Sequence, residues 1–124
     1  MNTNCTASTK MLYKKITKYL HVIGVPLQVV GFLYLREAIR MCAMDNTLRA
    51  GSISKSVYPR IADTFNSSVS RVERSIRNVI DVFDGERIDK INSLIGVNVF
   101  SLREKPTNRM IICCLADKVN LDLL

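Results

Sequence analysis

At 124 residues, with 48% hydrophobic and 23% charged side chains, the chain has the size and composition of one folded domain, which excludes a disordered or fibrous sequence. Its formal charge of +7, from 18 Lys and Arg against 11 Asp and Glu, favours a polyanionic partner. With four Tyr, four Phe and no Trp, it offers little for base stacking, so duplex DNA fits better than RNA or single strands.

Residues 1–9, MNTNCTAST, are small and polar and are expected to form a flexible tail ahead of a single helical domain over 10–124. Leu12, Ile16, Leu20 and Ile23 recur at helical spacing and predict a first helix from Lys10 to Ile23, with Lys14, Lys15 and Lys18 on its wet side. Gly24 and Pro26 end it. His21, the single histidine, stands near that end, where a structural role is expected. The uncharged run from Tyr19 to Leu35 is interrupted by Gly24, Pro26, Gln28 and Gly31 and is short for a membrane span, so no membrane role is expected.

A second helix is expected over about 27–44, where Val30, Leu33, Tyr34, Leu35, Ala38, Ile39 and Cys42 leave few polar sides. Such a helix belongs at the centre of the fold, with Arg36 and Glu37 paired to neighbours. A short helical turn before Gly51 follows. Ser52 or Ser54 is positioned to cap the next helix, which runs to Phe65.

The stretch Tyr58 to Phe83 predicts a helix, a tight turn and a second helix, a helix-turn-helix spanning about 55–83. Small Ala62, Asn66 at offset four and Val72 at offset ten fit a close helix pair with a left-handed turn residue between them. Ile61, Ala62 and Phe65 are expected to pack on Val69, Val72 and Ile76, with Ser67 or Ser68 as the second cap. Val69, Val72, Ile76, Val79, Ile80 and Phe83 form one apolar stripe. The remaining circumference carries Ser70, Arg71, Glu73, Arg74, Arg77, Asn78 and Asp81. Arg bonds guanine with two hydrogen bonds, Glu accepts from cytosine and Asn pairs with adenine, so this face has the chemistry to read base edges. Lys55 and Arg60, on the preceding helix, are candidates for phosphate. A solvated basic face on an ordinary helical hairpin is the alternative.

After this pair, Asp84-Gly85-Glu86-Arg87 predicts a turn, Asp89–Leu94 a short helix ended by Gly96, and 97–106 a loop with Arg103 and Lys105. A last helix from Pro106 and Thr107 to about Val119 is expected to close the core with Ile111, Ile112, Leu115 and Val119. Val97, Val99 and Leu102 alternate without a partner strand. Cys5, Cys42, Cys113 and Cys114 have neither disulfide nor zinc spacing, and the adjacent pair Cys113-Cys114 is expected in the core, as suits a reducing cytoplasm. One His, no acid pair and no Gly-rich phosphate loop leave nothing to build an active site from, so no enzyme, cofactor or metal is expected.

From about Ile16 to Leu121 the chain resembles the C-terminal DNA-binding domain of the master sporulation response regulator of endospore-forming bacteria. The likeness is carried by Ile23-Gly24-Val25-Pro26, then Gly31 with Leu33-Tyr34-Leu35-Arg36-Glu37-Ala38-Ile39. Gly51-Ser52-Ile53, Tyr58-Pro59 with Ile61-Ala62, and Ser70-Arg71-Val72-Glu73-Arg74 with Ile76-Arg77 continue it. Lys105-Pro106-Thr107-Asn108 and Ala116-Asp117-Lys118 complete it.

The resemblance implies a compact all-α bundle of about six helices containing a helix-turn-helix, without a cofactor. It implies a sequence-specific transcription regulator of the sporulation-initiation type, reading short promoter boxes on double-stranded DNA through a major-groove helix. Carried over position by position, Arg71, Glu73 and Arg74 become base or groove contacts, joined by Asn78. Ser70, Arg77, Lys55 and Lys105 become phosphate or groove-edge contacts. Asp89, Lys90, Asn92 and Ile95 fall in the segment that in the family touches the sigma subunit of RNA polymerase. Self-association on tandem DNA sites is a further expectation.

Three departures stand out. About fifteen residues precede the match, which leaves out the receiver domain that family members place ahead of this one, so the chain is either a separate effector protein or a fragment. Asn78 stands where the family commonly has His. The turn at Asp84–Arg87 is one residue shorter than usual. The last two favour a second reading, a protein-interaction module or antagonist that keeps the fold without specific DNA binding. The intact face from Ser70 to Arg77 opposes it.

Overall fold

The computed structural model describes residues 3–101 and 104–123, with side chains from Thr9 onward. Arg103 and Leu102, expected in a loop, lie outside the described residues. Among the described residues the regular structure is all helical, without a strand, as the sequence predicts. Six helices have seven residues or more: α1 (Thr3–Ile23), α2 (Val30–Met44), α5 (Tyr58–Thr64), α6 (Val69–Asp81), α7 (Gly85–Ile95) and α8 (Asn108–Leu123). Two single turns, α3 (Asn46–Ala50) and α4 (Ile53–Ser56), complete the set.

The first helix begins at Thr3 rather than Lys10, because the small polar residues before Lys10 include no Gly or Pro to stop it. It buries Leu12, Ile16, Tyr19, Leu20 and Ile23. Gly24 ends it with φ 96, and the N–H of Val25 reaches back to the Leu20 carbonyl at 2.9 Å, the closure that a left-handed residue permits. Leu27–Val29 form a turn, so α2 starts at Val30 rather than Leu27.

Most of α2 is buried, including Phe32, Leu35, Ala38, Ile39 and Cys42, and α1, α5, α6 and α8 all pack on it. Arg36 and Glu37 pair with neighbouring side chains, as expected, although Arg36 Nε is buried without a hydrogen-bond partner among the described residues. Glu37 accepts from the Tyr13 hydroxyl at 2.5 Å and from Arg40 Nε at 3.0 Å. The Arg36 guanidinium lies 5.1 Å from the Tyr13 ring centre and 5.5 Å from that of Phe32, and donates to Thr17.

The helix expected to run from a cap at Ser52 or Ser54 to Phe65 is broken in two at Val57. Pro59 has no N–H to return to the Lys55 carbonyl, and its ring crowds that carbonyl, so α4 stops and α5 restarts with Pro in its first turn. Gly85 belongs to the first turn of α7 instead of a break, because Asp84 accepts from the Arg87 N–H at 3.0 Å and caps the helix from outside. Gly96 closes α7 with φ 93, as predicted. Thr107 caps α8 through the Met110 N–H, and Ile111, Ile112, Leu115 and Val119 enter the core as expected. Cys42 is fully buried, whereas Cys113 and Cys114 are half-buried at the core margin.

Where α2 crosses α6, Gly31 lies against the α6 backbone. A Cβ at this position would stand 2.5 Å from the Ser75 carbonyl oxygen and 2.6 Å from a Val79 methyl. Helix propensity alone favours Gly31→Ala by roughly 1 kcal/mol. Overpacking against an immobile backbone costs about 1–3 kcal/mol or more and opposes it. Gly31→Ala is therefore expected to lower the midpoint of urea unfolding; a raised midpoint would show that α6 moves aside freely. The Arg87 N–H, followed by the Arg87 charge, holds the Asp84 carboxyl below the usual carboxylate range. A lowered folded-state pKa gives stability that is present above the unfolded value and lost as pH falls through the folded one. Asp84→Asn keeps a capping oxygen without titrating, so its thermal midpoint is expected to fall less than that of the wild type on acidification below about pH 4.

Candidate nucleic-acid interface

The turn between α5 and α6 is closed as its residue types require. Asn66 takes φ 52, and the Ser67 N–H bonds the Ala62 carbonyl at 2.7 Å. Ser68 then caps α6, accepting from the Arg71 N–H at 3.2 Å. Ile61, Ala62, Val72, Ile76, Val79, Ile80 and Phe83 are buried, so the predicted stripe holds α6 by one side. Two residues expected in this packing depart from it. Val69 is 38% exposed because it lies in the first turn, ahead of where α6 meets the core, and Phe65 is 39% exposed, set edge-on to Tyr34 at 5.4 Å.

Opposite the stripe stand Ser70, Arg71, Arg74, Arg77 and Asn78, all exposed. Among the described residues, the guanidinium groups of Arg71 and Arg74 have no ion-pair or hydrogen-bond partner. Arg77 is different: it closes an i,i+4 ion pair with Glu73. Glu73 is half-buried and faces Arg77, not open solvent alone. Asp81 puts a carboxylate on the same side at the far end of the helix, so the cationic part of the face is its N-terminal half. The partial positive charge of the α6 N-terminus adds to it.

The remaining expected contacts divide. Lys55 is exposed on α4. Lys105 donates to the Asp81 carbonyl at 2.6 Å, so its ammonium group serves the open C-terminus of α6. An open cavity of about 420 Å³ separates the start of α8 from α6 and is lined by Ser52, Ser54, Arg77 and Thr107 among others. On α7, Asp89 and Lys90 face outward, with Lys90 paired to Glu86 at 3.4 Å. Asn92 does not belong to that surface. It is buried, and its amide exchanges two hydrogen bonds with the Phe100 backbone, at 2.9 and 3.0 Å, tying down a loop that has no regular structure of its own. Ile95 is half-buried against the core.

The family model described as sporulation initiation factor Spo0A C terminal matches residues 16–119, from the middle of α1 to the last turns of α8. The chain belongs to the Spo0A C-terminal family. This family is the DNA-binding effector domain of sporulation initiation, a regulatory family and not a family of enzymes. No helix among the described residues is long and apolar enough to cross a membrane.

In this Spo0A C-terminal domain three positioning residues carried no separate signal in their spacing. Asn108 donates to both the Tyr58 hydroxyl and the Glu73 carbonyl at 3.2 Å, bracing α5 and α6 against the start of α8. Arg109 donates to the carbonyls of Gly51 at 2.6 Å and Arg49 at 2.9 Å, which caps the C-terminus of α3 from a distant helix. Gly31 admits α6. Each acts across a long sequence separation, which no local pattern reports. The relocation of Asn92 is testable. Asn92→Ala leaves a buried N–H and C=O of Phe100 unpaired and is expected to cost about 1–3 kcal/mol in urea unfolding. An exposed contact residue would leave the unfolding midpoint unchanged.

Proposed function

We propose that this chain is a sequence-specific reader of duplex DNA, with α6 as the recognition helix in the major groove and the α5–turn–α6 unit acting as a helix-turn-helix. The observation that carries this reading is the pair Arg71 and Arg74, exposed and unpartnered on a helix whose opposite side is locked into the core. Two guanidinium groups without an acid are free to meet guanine edges, each with two hydrogen bonds. Glu73 and Asn78 extend the reading surface, and Arg77 exchanges its Glu73 partner for phosphate on binding. Ser70 and Lys55 sit at the groove edge as phosphate contacts, with Lys105 steadying the end of α6. The exposed pair Asp89 and Lys90 on α7 is the surface offered to the sigma subunit of RNA polymerase, and the domain pairs with a second copy on tandem boxes.

The deciding experiment retains protein-bound duplexes from a random library at two salt concentrations and sequences them. Enrichment of one short motif supports the reading. Retention without enrichment, fading with salt, reduces the chain to a basic domain, and no retention at low salt favours the interaction module. Given a motif, Arg71→Ala and Arg74→Ala are each expected to cost about 1–3 kcal/mol on the box and to relax one base position. Lys55→Ala is expected to weaken box and random duplex alike and to lower the salt slope by about one. Full discrimination retained by both Arg variants, measured by titration on box and scrambled duplexes, would sink the assignment.

A further inference from the structure

Among the described residues, a second unneutralised basic surface lies on α1, apart from that on α6. Lys10, Lys14 and Lys18 recur every fourth residue, with His21 one turn on, and all four are exposed. At about 100° per residue they span roughly 80° of the helix, centred opposite the buried Leu12, Ile16, Tyr19, Leu20 and Ile23. They therefore point straight away from the core. The whole of α1 contains no acidic residue. Of the carboxylates on helices packed against α1, Asp122 is engaged with Tyr19 and Lys118, Glu37 with Tyr13 and Arg40, and Glu86 with Lys90, while Asp89 on α7 lies by Val22, at the His21 end beyond the three lysines. Among the described residues none of the three lysines has an ion-pair or hydrogen-bond partner.

The stripe is also remote from the α6 face. Both α1 and α6 pack on α2 and on α8 but have no substantial interface with each other, so they flank that central pair. α1 and α6 are thus separated by α2 and α8, helices whose axes in contact are typically about 8–10 Å apart. Lys10 and Lys14 also precede Ile16, where the family match begins.

We propose that the Lys10–Lys14–Lys18 stripe is a second docking surface for the phosphate backbone of duplex DNA, so that one molecule holds two duplex segments. From Lys10 to His21 the stripe runs about 16 Å, the axial length of about five phosphates on one strand. Long, unpaired ammonium groups in a straight row suit a periodic polyanion and need no base contact. An anionic membrane surface fits less well, because the apolar side of α1 is already in the core and, among its described side chains, the large apolar ones left exposed are Met11 and Val22. An acidic protein segment lacks the aromatic or aliphatic anchor on which protein interfaces depend.

The test is a sandwich capture with the full chain. A short duplex is immobilised and loaded with protein, and a labelled random duplex is then added at low salt. The wild type is expected to hold the second duplex. Lys10→Gln/Lys14→Gln/Lys18→Gln, shown by circular dichroism to remain folded, is expected to load the first duplex equally and to lose capture at least about tenfold, with a fall of about 2–3 in the salt slope of the second binding step. A loaded wild type that captures nothing overturns the inference. So does capture that survives the triple substitution, because bridging then arises from self-association. A polyglutamate probe captured in place of the duplex overturns it in favour of an acidic protein partner. Arg71→Ala/Arg74→Ala separates this surface from the α6 reading: it is expected to lose selectivity for the box while keeping lysine-dependent binding of a random duplex.

Discussion

The contact between α2 and α6 at Gly31 is the constraint on which the interface depends. Because Gly31 presents no side chain, the α6 backbone at Ser75 sits directly on α2, and Val72, Ile76, Val79 and Ile80 are buried in the core. That seating sets the depth and rotation of α6 and so decides which residues face outward. Rotating the helix by one residue, about 100°, would exchange Arg74 for Ser75 at the centre of the outer face and bury charge. The brace from Asn108 to Tyr58 and Glu73 opposes such a rotation from the other side. Rigid support of this kind is what gives an exposed Arg a defined position before a ligand arrives.

The basic residues fall into two groups by what surrounds them. Arg36, Arg40, Arg49, Arg87 and Arg109 are engaged with rings, carboxylates or helix-end carbonyls and act as part of the fold. Among the described residues Arg71, Arg74, Lys10, Lys14 and Lys18 have no such partners, and they account for much of the excess positive charge. The first group has given up hydration for structure. The second keeps its hydration until a polyanion replaces it, which is the condition for salt-sensitive binding. Arg77 belongs to both, since its pairing with Glu73 is exposed and weak enough to exchange.

Side chains serve many of the helix ends, the starts of α2 and α5 excepted, and this keeps the short connections rigid. Asp45, Ser52, Ser68, Asp84 and Thr107 each accept from an otherwise unpaired N–H at a helix start. Arg109 and Lys105 serve carbonyl ends of α3 and α6 from elsewhere in the chain. The Asn92 clamp on Phe100 does the same for the loop after α7. An amide buried among apolar residues in the middle of a helix signals such a clamp better than it signals a binding surface.

How much was legible follows from the range of each interaction. The sequence by itself determined the all-helical class, the stripe of α6, the left-handed turn at Asn66, a serine cap at Ser67 or Ser68, the stop at Gly96 and the outward side of Arg71 and Arg74. All of these depend on residues within one or two helical turns, where steric preference and periodicity act directly. It also contained the break at Pro59 and the unbroken start of α1, which composition alone obscured. Only the tertiary structure decided that Gly31 meets Ser75, that Asn92 turns inward, that Lys105 and Arg109 serve distant helix ends, and that the α1 lysines lie across α2 from α6. Those outcomes depend on which surfaces meet after the chain folds back, and contacts between residues far apart in sequence leave no periodic trace in it.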